Sequence, residues 1–407
     1  MRILYISQYF HPEIGATTNR AAAIATELCK RGHHVVLLCE MPNHPAGVIF
    51  PGYKGKLFCR EDFHGIPVIH LPVIASPRKN FLNRILMYLS FSVSAAGYIM
   101  FRRPRYDLIY VSSPPLFVAL CGLLSKLLFS RRKFVFEVRD LWPDSAIELG
   151  ELNNGMLIRF STALEQRAYR KSDLVIAATD YIGKIIQTKG TPAEKVFVNR
   201  NGVDSVVLET FAEKESRPAG ALFTAIFAGN MGVAQNLETV IRCAGILADE
   251  PIRFVFIGGG PGKAKLQQLS RSLQLDKVEF RDQVPKAEIG KALSAADCGI
   301  VCLKDLPVLS GALPVKIFDY MAYELPIVCG IRGEAADVVN EAGAGIVVMP
   351  DDPQDMAEAL RKLMREPHTC STMGKSGRDY VLSRFQRSQL AAALVSDLES
   401  RFCPGES

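Results

Sequence analysis

Residues 2–40 read RILYISQYFHPEIGATTNRAAAIATELCKRGHHVVLLCE, and this stretch decides the fold class. The apolar run Ile3 to Ser7 gives way to a helical pattern near Thr18 to Arg31, and a second apolar run follows at His34 to Cys39. Runs that are apolar throughout, rather than alternating, belong to strands covered on both faces. Two such strands joined through a helix make a parallel βαβ unit. Working outward, further strands are expected at Leu108 to Ser112, Lys133 to Val138, Leu174 to Ala177 and Val196 to Val198. The first half therefore reads as a doubly wound α/β domain.

The pattern restarts near Asp204, with strands expected at Ala221 to Ala228, Arg253 to Ile257, Val278 to Phe280, Cys298 to Leu303, Ile327 to Cys329 and Gly345 to Met349. The polar stretch Glu213 to Ala219 is the expected linker, and past Asp351 the chain reads as helical to about Arg401. The expected division is residues 1–205, 206–385, and a C-terminal helix and tail at 386–407. With 407 residues, 48% hydrophobic and 22% charged, the chain is too long for one small module and too apolar for disorder. Two doubly wound domains imply a cleft between them, where ligands of open α/β sheets bind.

Charge is distributed unevenly. Residues 1–205 hold 26 bases and 16 acids, a net +10, whereas the remainder holds 22 and 26, a net −4. Between Arg78 and Lys133, ten bases meet a single acid, Asp107, so this face is suited to phosphate-bearing surfaces. Inside it, Ile85 to Phe101 is 17 residues without a charge, bracketed by Arg78, Lys79 and Arg84 before and by Arg102, Arg103 and Arg105 after. Three readings stand open for it: a buried helix, an interfacial helix whose arginines meet lipid phosphates, and a membrane span that is short for the roughly 20 residues a bilayer needs. A second apolar patch runs from Leu116 to Phe129 and ends in Arg131-Arg132-Lys133.

The ten cysteines include no CxxC pair and sit mostly in apolar runs, as free thiols of a reducing compartment do. Met1-Arg2 leads directly into Ile3-Leu4-Tyr5-Ile6, which is too short for a signal core, so the cytosolic side is the expected address. The seven histidines form neither HExxH nor a Cys/His ligand set, and no metal or cofactor is expected. His44, in the proline-rich loop Pro42-Asn43-His44-Pro45, is an acceptor-site candidate.

Three loops follow strands and offer close approach to an anion: His11 to Thr18 with Gly15, Gly229-Asn230-Met231-Gly232, and Gly258-Gly259-Gly260-Pro261-Gly262. None has the dinucleotide or P-loop spacing. The most informative stretch is Leu313-Pro314-Val315-Lys316-Ile317-Phe318-Asp319-Tyr320-Met321-Ala322. A proline there starts a helix, and Lys316 falls in the first turn, where a cation opposes the macrodipole unless an anion binds. Lys316 is thus read as a ligand for phosphate, and Asp319, one turn on, as an acceptor from vicinal hydroxyls.

These residues resemble a known family. Tyr5-Ile6-Ser7-Gln8-Tyr9-Phe10 with Pro12-Glu13, Arg31-Gly32-His33, Phe136 to Asp144 including Arg139-Asp140-Leu141-Trp142-Pro143-Asp144, Asn201-Gly202-Val203-Asp204, Phe227 to Gly232 and Pro314 to Ala322 resemble the family 4 retaining glycosyltransferases of GT-B fold. More narrowly they are similar to the WbuB-type enzymes that build bacterial O-antigen or capsule. The resemblance implies two Rossmann-like domains, with donor contacts at Gly15, Asn230, Gly232, Gly258, Lys316 and Asp319. It implies an acceptor side holding Glu13, Arg139 and Asp140 as catalytic residues, with His44, Arg102 and Arg103 as acceptor contacts. The chain departs from the family at the EX7E signature, where Gly311 takes the first acid's place and Asp319 the second's. It departs again where an Arg and a Lys should grip the diphosphate, since Asn230 and Gln235 stand there, and where a catalytic histidine is expected, since Ser112-Ser113-Pro114-Pro115 stands there. The cationic duty then shifts to Lys316, with Arg20 and Arg200 as further candidates.

The implied activity is transfer of a sugar, an N-acetylated amino sugar from a UDP donor, to a polyprenyl-diphosphate-linked saccharide at the cytoplasmic face of the inner membrane, by a peripheral or monotopic enzyme. Two other classes remain in view. A UDP-sugar 2-epimerase shares the fold but is soluble and needs a base dyad, which the basic apolar segment argues against. A nucleic-acid-binding protein would share the basic face, but here the bases bracket aliphatic helices rather than interleave with aromatic or polar residues, so no nucleic acid partner is expected.

Overall fold

The computed structural model describes residues 1–78, 81–102, 106–204, 207, 211 and 220–403, without the side chains at 102, 286 and 287. It divides into two compact units, Met1–Asn201 with Arg387–Ser407, and Gly202–Gln386. The expected linker at 213–219 lies outside the described residues, as do Arg103, Arg105 and the Arg102 side chain.

Unit 1 is built on eight strands: β1 (Arg2–Ser7), β2 (His34–Glu40), β3 (Cys59–Phe63), β4 (Ile66–Leu71), β5 (Leu108–Ser113), β6 (Lys133–Val138), β7 (Leu174–Ala177) and β8 (Val196–Val198). Their order is β3-β4-β2-β1-β5-β6-β7-β8, with all neighbours parallel except the β3–β4 hairpin. The strand order reverses between β1 and β5, the position at whose carboxyl edge open α/β sheets bind ligands. Five of the six β1 residues are buried, as the unbroken apolar run requires. The helix Ala16–Lys30 lays Ala21, Ile24, Ala25 and Leu28 on the sheet at helical spacing.

The β3–β4 hairpin is absent from the sequence-based expectation. β3 reads CREDF, an edge strand whose three central residues are charged and exposed, and Pro67 interrupts β4. Charges on an outer strand block edge-to-edge pairing and also remove the pattern by which a strand is recognised.

Unit 2 carries β9 (Phe223–Ala228), β10 (Ile252–Ile257), β11 (Val278–Arg281), β12 (Cys298–Cys302), β13 (Ile327–Gly330) and β14 (Gly345–Val347), ordered β11-β10-β9-β12-β13-β14 and wholly parallel. Its reversal lies between β9 and β12. Three helices close the chain, Pro353–Arg365, Pro367–Arg384 and Arg387–Phe402, and the last of them belongs to unit 1. There Ala391, Leu394, Val395 and Leu398 join the core formed by Ile3, Tyr5, Ile24 and Leu28.

The charge-free segment is part of one long helix, Phe81–Arg102, about 33 Å at 1.5 Å per residue. Phe91, Ser92, Ala95 and Ile99 face inward, while Leu82, Leu86, Val93 and Met100 are exposed. At 3.6 residues per turn those four fall within about 40° of one another, so the outward face is a continuous apolar stripe. Only 28% of its apolar window is buried, which is not the state of a core helix.

Candidate functional site

In unit 2 the loops after β9 and β10 interlock at the carboxyl edge of the sheet. Met231 N donates to Gly259 O (2.7 Å), and Gly262 N donates to Met231 O (2.9 Å). Gly258, at φ +138°, lies so near that a Cβ would stand 2.1 Å from Gly229 O, so only glycine fits. At Gly232 a Cβ would come within 2.7 Å of Gln235 Oε1 and 2.9 Å of Asn230 Nδ2. The two neutral amides that replace the family's cations therefore converge over one glycine.

The helix Val315–Ala322 approaches the same edge. Ile317, Phe318, Tyr320 and Met321 bury its inner face, and Ala228 N at the end of β9 donates to the Tyr320 hydroxyl (2.9 Å). This bond holds the second turn of the helix against β9. Lys316 Nζ then sits 3.7 Å from the centroid of the Phe227 ring and faces Gly229. Burial pushes its ammonium down to about 8, against the opposing pull of Cys302 and Asp319. Asp319, on the same helix, is half-buried. The structure thus brings Asn230, Gly232, Gly258 and Lys316 to one strand edge.

In unit 1 the candidates fall into two groups. Around the β1–β5 reversal, Glu137 is fully buried and holds Arg20 Nε (2.7 Å), the Tyr110 hydroxyl (2.9 Å) and Ser112 Oγ (2.5 Å). The Arg20 charge keeps the Glu137 carboxyl below its ordinary range in spite of burial. Arg20 is not available for a diphosphate. It is 3% exposed, and its remaining N–H groups donate to Asn199 O, Arg200 O and Asn201 Oδ1. Arg200 is likewise engaged, in an ion pair with Asp180. Both guanidinium groups are used within unit 1: Arg20 ties the helix Ala16–Lys30 to residues 199–201 after β8, and Arg200 pairs with Asp180 at the start of the helix Asp180–Thr188.

Arg139 donates to Thr17 Oγ1 (2.5 Å), Ser112 Oγ (3.1 Å) and Pro114 O (2.9 Å), tying the start of the helix Ala16–Lys30 to the ends of β5 and β6. That helix start, at Gly15, has no side-chain cap, and there is open space where a Gly15 Cβ would be. Among the described residues no ion pair joins Arg139 to Asp140. Asp140 instead accepts from Ser145 Oγ (3.0 Å), and burial raises its carboxyl.

The second group lies at the ends of β1 and β2. Glu13, 3% exposed, accepts at Oε1 from Asn43 N (2.6 Å) and His44 N (2.7 Å), and burial raises it to about 7. The Asn43 side chain donates to Glu40 Oε1 (2.7 Å), so one residue bridges two acids. The exposed His44 ring lies 5.4 Å from that of Tyr9. Sequence reasoning did not single out Gln8 and Glu40, because a polar residue closing an apolar run reads as the end of a strand. Among the described residues no cluster of three or more His, Cys, Asp or Glu is arranged to hold a metal.

The chain matches two family models: Glycosyl transferase 4-like domain over residues 15–202 and Glycosyl transferases group 1 over residues 209–380. It is 24% identical over 98% of its length to the whole of an Escherichia coli K12 protein named as a candidate colanic acid biosynthesis glycosyl transferase, WcaI. Among solved structures, a sucrose-phosphate synthase of Thermosynechococcus elongatus superposes with TM-score 0.74 at 17% identity, covering 99% of this chain and 100% of that one. Anabaena HepE, solved in complex with UDP and glucose, superposes with TM-score 0.72 at 18% identity, covering 98% and 99%. Each unit carries a largely parallel sheet as in these GT-B structures, each half matches a glycosyltransferase model, and the chain belongs to the family 4 glycosyltransferases.

Proposed function

We propose that this glycosyltransferase moves an N-acetylated amino sugar, with retention, from a UDP donor to a polyprenyl-diphosphate-linked saccharide in exopolysaccharide synthesis. The reading is carried by Lys316, a desolvated ammonium held over Phe227 beside the Asn230–Gly232 and Gly258 loops. An anion bound there restores the charge stabilisation that burial removes, and the diphosphate of the donor is such an anion. The similar HepE structure in complex with UDP supports the nucleotide, and WcaI supports the setting.

In this reading the acceptor hydroxyl attacks the anomeric carbon on the face the diphosphate leaves. The bond from that carbon to the diphosphate oxygen breaks, and the leaving oxygen takes the acceptor's proton. Lys316 and the loop N–H groups stabilise the charge that develops on the diphosphate. Glu13 accepts a hydrogen bond from the acceptor hydroxyl and orients it, Arg139 and Asp140 shape the acceptor side near the uncapped helix start, and Asp319 takes the ribose hydroxyls. His44 at the exposed rim contacts the acceptor.

The enzyme works at the cytoplasmic face of the inner membrane, held by the stripe Leu82, Leu86, Val93 and Met100 and by bases that include Arg102 and Arg103. An outward face that is apolar over most of a 22-residue helix and bracketed by arginines is the pattern of an interfacial helix. Thermal-shift titration with UDP, GDP, TDP and ADP tests the donor. UDP is expected to raise Tm the most, and indifference to all four nucleotides removes the proposal.

A further inference from the structure

The acid pocket at the ends of β1 and β2 holds polar groups that the fold leaves unused. Gln8 is 1% exposed and Glu40 2% exposed. The amide oxygen and nitrogen of Gln8 and Glu40 Oε2 meet no partner at full hydrogen-bond distance and angle among the described residues; the Gln8 amide and the Glu40 carboxyl face each other, close enough for the amide to favour the carboxylate. Buried donors and acceptors are paired in the great majority of cases, and each unpaired one destabilises the fold. Three such atoms on two neighbouring side chains, joined through the Glu40 N to Gln8 O backbone bond (3.0 Å), are therefore a feature to be accounted for.

The surroundings are polar and directional. Asn43 reaches both acids, with its backbone N–H on Glu13 and its side chain on Glu40. Tyr9 and Tyr88, half-buried and hydrogen-bonded to each other, flank the acids, and the Tyr9 hydroxyl lies within electrostatic reach of both Glu13 and Glu40. Tyr88 belongs to the helix Phe81–Arg102, so the helix that carries the apolar stripe stands beside these acids. The pocket also lies at the carboxyl edge of a parallel sheet, where this fold class binds ligands.

We infer that Gln8 and Glu40, bridged by Asn43 to Glu13, form a saccharide subsite that reads hydroxyl or acetamido groups of the acceptor. The inference rests on the transferase reading above and deepens it by assigning residues to acceptor recognition. A primary amide offers a donor and an acceptor together, and so does a protonated carboxyl, which is the pattern of vicinal hydroxyls on a sugar ring. Burial and the neighbouring Glu13 hold the Glu40 carboxyl well above its ordinary range. With the acceptor's sugar seated here, its lipid leaves past Tyr88 along the face that meets the membrane.

Gln8→Met and Glu40→Gln test this, the first removing two unpaired atoms at constant volume and the second keeping the bond to Asn43. The expected result is a Tm unchanged or raised in Gln8→Met, because an unused polar pair gives way to an apolar chain of similar shape. With UDP-N-acetylhexosamine and a synthetic polyprenyl-diphosphate-linked N-acetylhexosamine, acceptor KM is expected to rise about tenfold or more in both variants. The UDP affinity measured by calorimetry should stay at the wild-type value. A Tm that falls by several degrees in Gln8→Met overturns the inference, because the amide is then part of a structural network completed by buried water. An unchanged acceptor KM in both variants overturns it as well. Absence of transfer by the wild-type protein counts against the proposed reaction rather than the subsite, which the Tm comparison still decides.

Discussion

Lys316 holds its ammonium 3.7 Å from the Phe227 ring centroid in a setting that lowers it to about 8, so the free enzyme carries a cation that burial disfavours. Removing it in Lys316→Ala should weaken UDP binding by about 1.5–3 kcal/mol, the usual contribution of a charge-assisted contact, as read by calorimetry. The pH dependence has a definite sign. As pH rises through about 8 the free lysine loses its proton, so UDP affinity should fall above that value in the wild type and stay flat in Lys316→Ala. Stability moves the other way: between about 8 and the ordinary lysine value of 10.5 the folded chain binds fewer protons than the unfolded one, so this group's contribution to stability rises with pH. Glu13 shows the mirror case. Its carboxyl is raised from 4.5 to about 7, so the folded state holds the extra proton, and the resulting stabilisation is present below 4.5 and lost as pH rises through about 7. Glu13→Gln should remove that loss, and Tm compared at pH 5 and pH 8 measures it. The kcat/KM for the acceptor should rise through about pH 7 in the wild type and become flat and low in Glu13→Gln.

The helix Phe81–Arg102 carries the membrane reading, and its exposed stripe can be tested without touching the core. Leu86 and Val93 point outward, so Leu86→Asp with Val93→Asp should leave the circular dichroism spectrum and Tm unchanged. The same pair should abolish co-sedimentation with anionic vesicles. Replacing Arg102, Arg103 and Arg105 by glutamine should weaken sedimentation at low salt, at about 1 kcal/mol per arginine, and the difference should shrink at high salt as screening takes over. Salt-independent sedimentation of both variants would make a deeply inserted helix the better account. This element also shows what a sequence reveals and what it hides. Strands such as Lys133–Val138 and Leu174–Ala177 were legible because burial on both faces leaves an unbroken apolar run. Lys316 stands out because a cation sits at the wrong end of a helix dipole, and the structure places it beside the loops after β9 and β10. The β3–β4 hairpin was hidden by its charged edge and by Pro67. Gln8 and Glu40 were hidden because strand-end polarity is ordinarily solvated, whereas here both side chains are buried. Charge alone makes Arg20 and Arg200 further candidates for the diphosphate, because it does not show that Glu137 and Asp180 pair with them.

At the scale of the molecule, the chain passes from unit 1 to unit 2 at Asn201 and returns after Gln386, so unit 1 is closed by residues from both ends of the sequence. The returning helix Arg387–Phe402 contributes Leu394, Val395 and Leu398, each fully buried, to the core that holds Ile3, Tyr5 and Leu28. On its outer side Glu399 accepts from Arg31 (2.9 Å) and lies 3.0 Å from His33 Nε2, and Arg401 donates to Glu194 O (2.6 Å). Burying three large aliphatic side chains contributes roughly 5–8 kcal/mol as an upper figure, comparable to the whole stability of an ordinary domain. The half-buried Glu399 contacts at the rim add little to that. A chain ending at Gln386 should therefore lose the cooperative unfolding of unit 1, with an earlier separate transition in calorimetry, while the transition of unit 2 and its UDP-dependent shift persist. A peptide of residues 387–407 added in trans should restore the lost transition, and Leu394→Asp in that peptide should prevent the rescue. If the truncated chain kept both transitions at their original temperatures, the returning helix would be a surface ornament, and the core of unit 1 would be complete without Leu394, Val395 and Leu398.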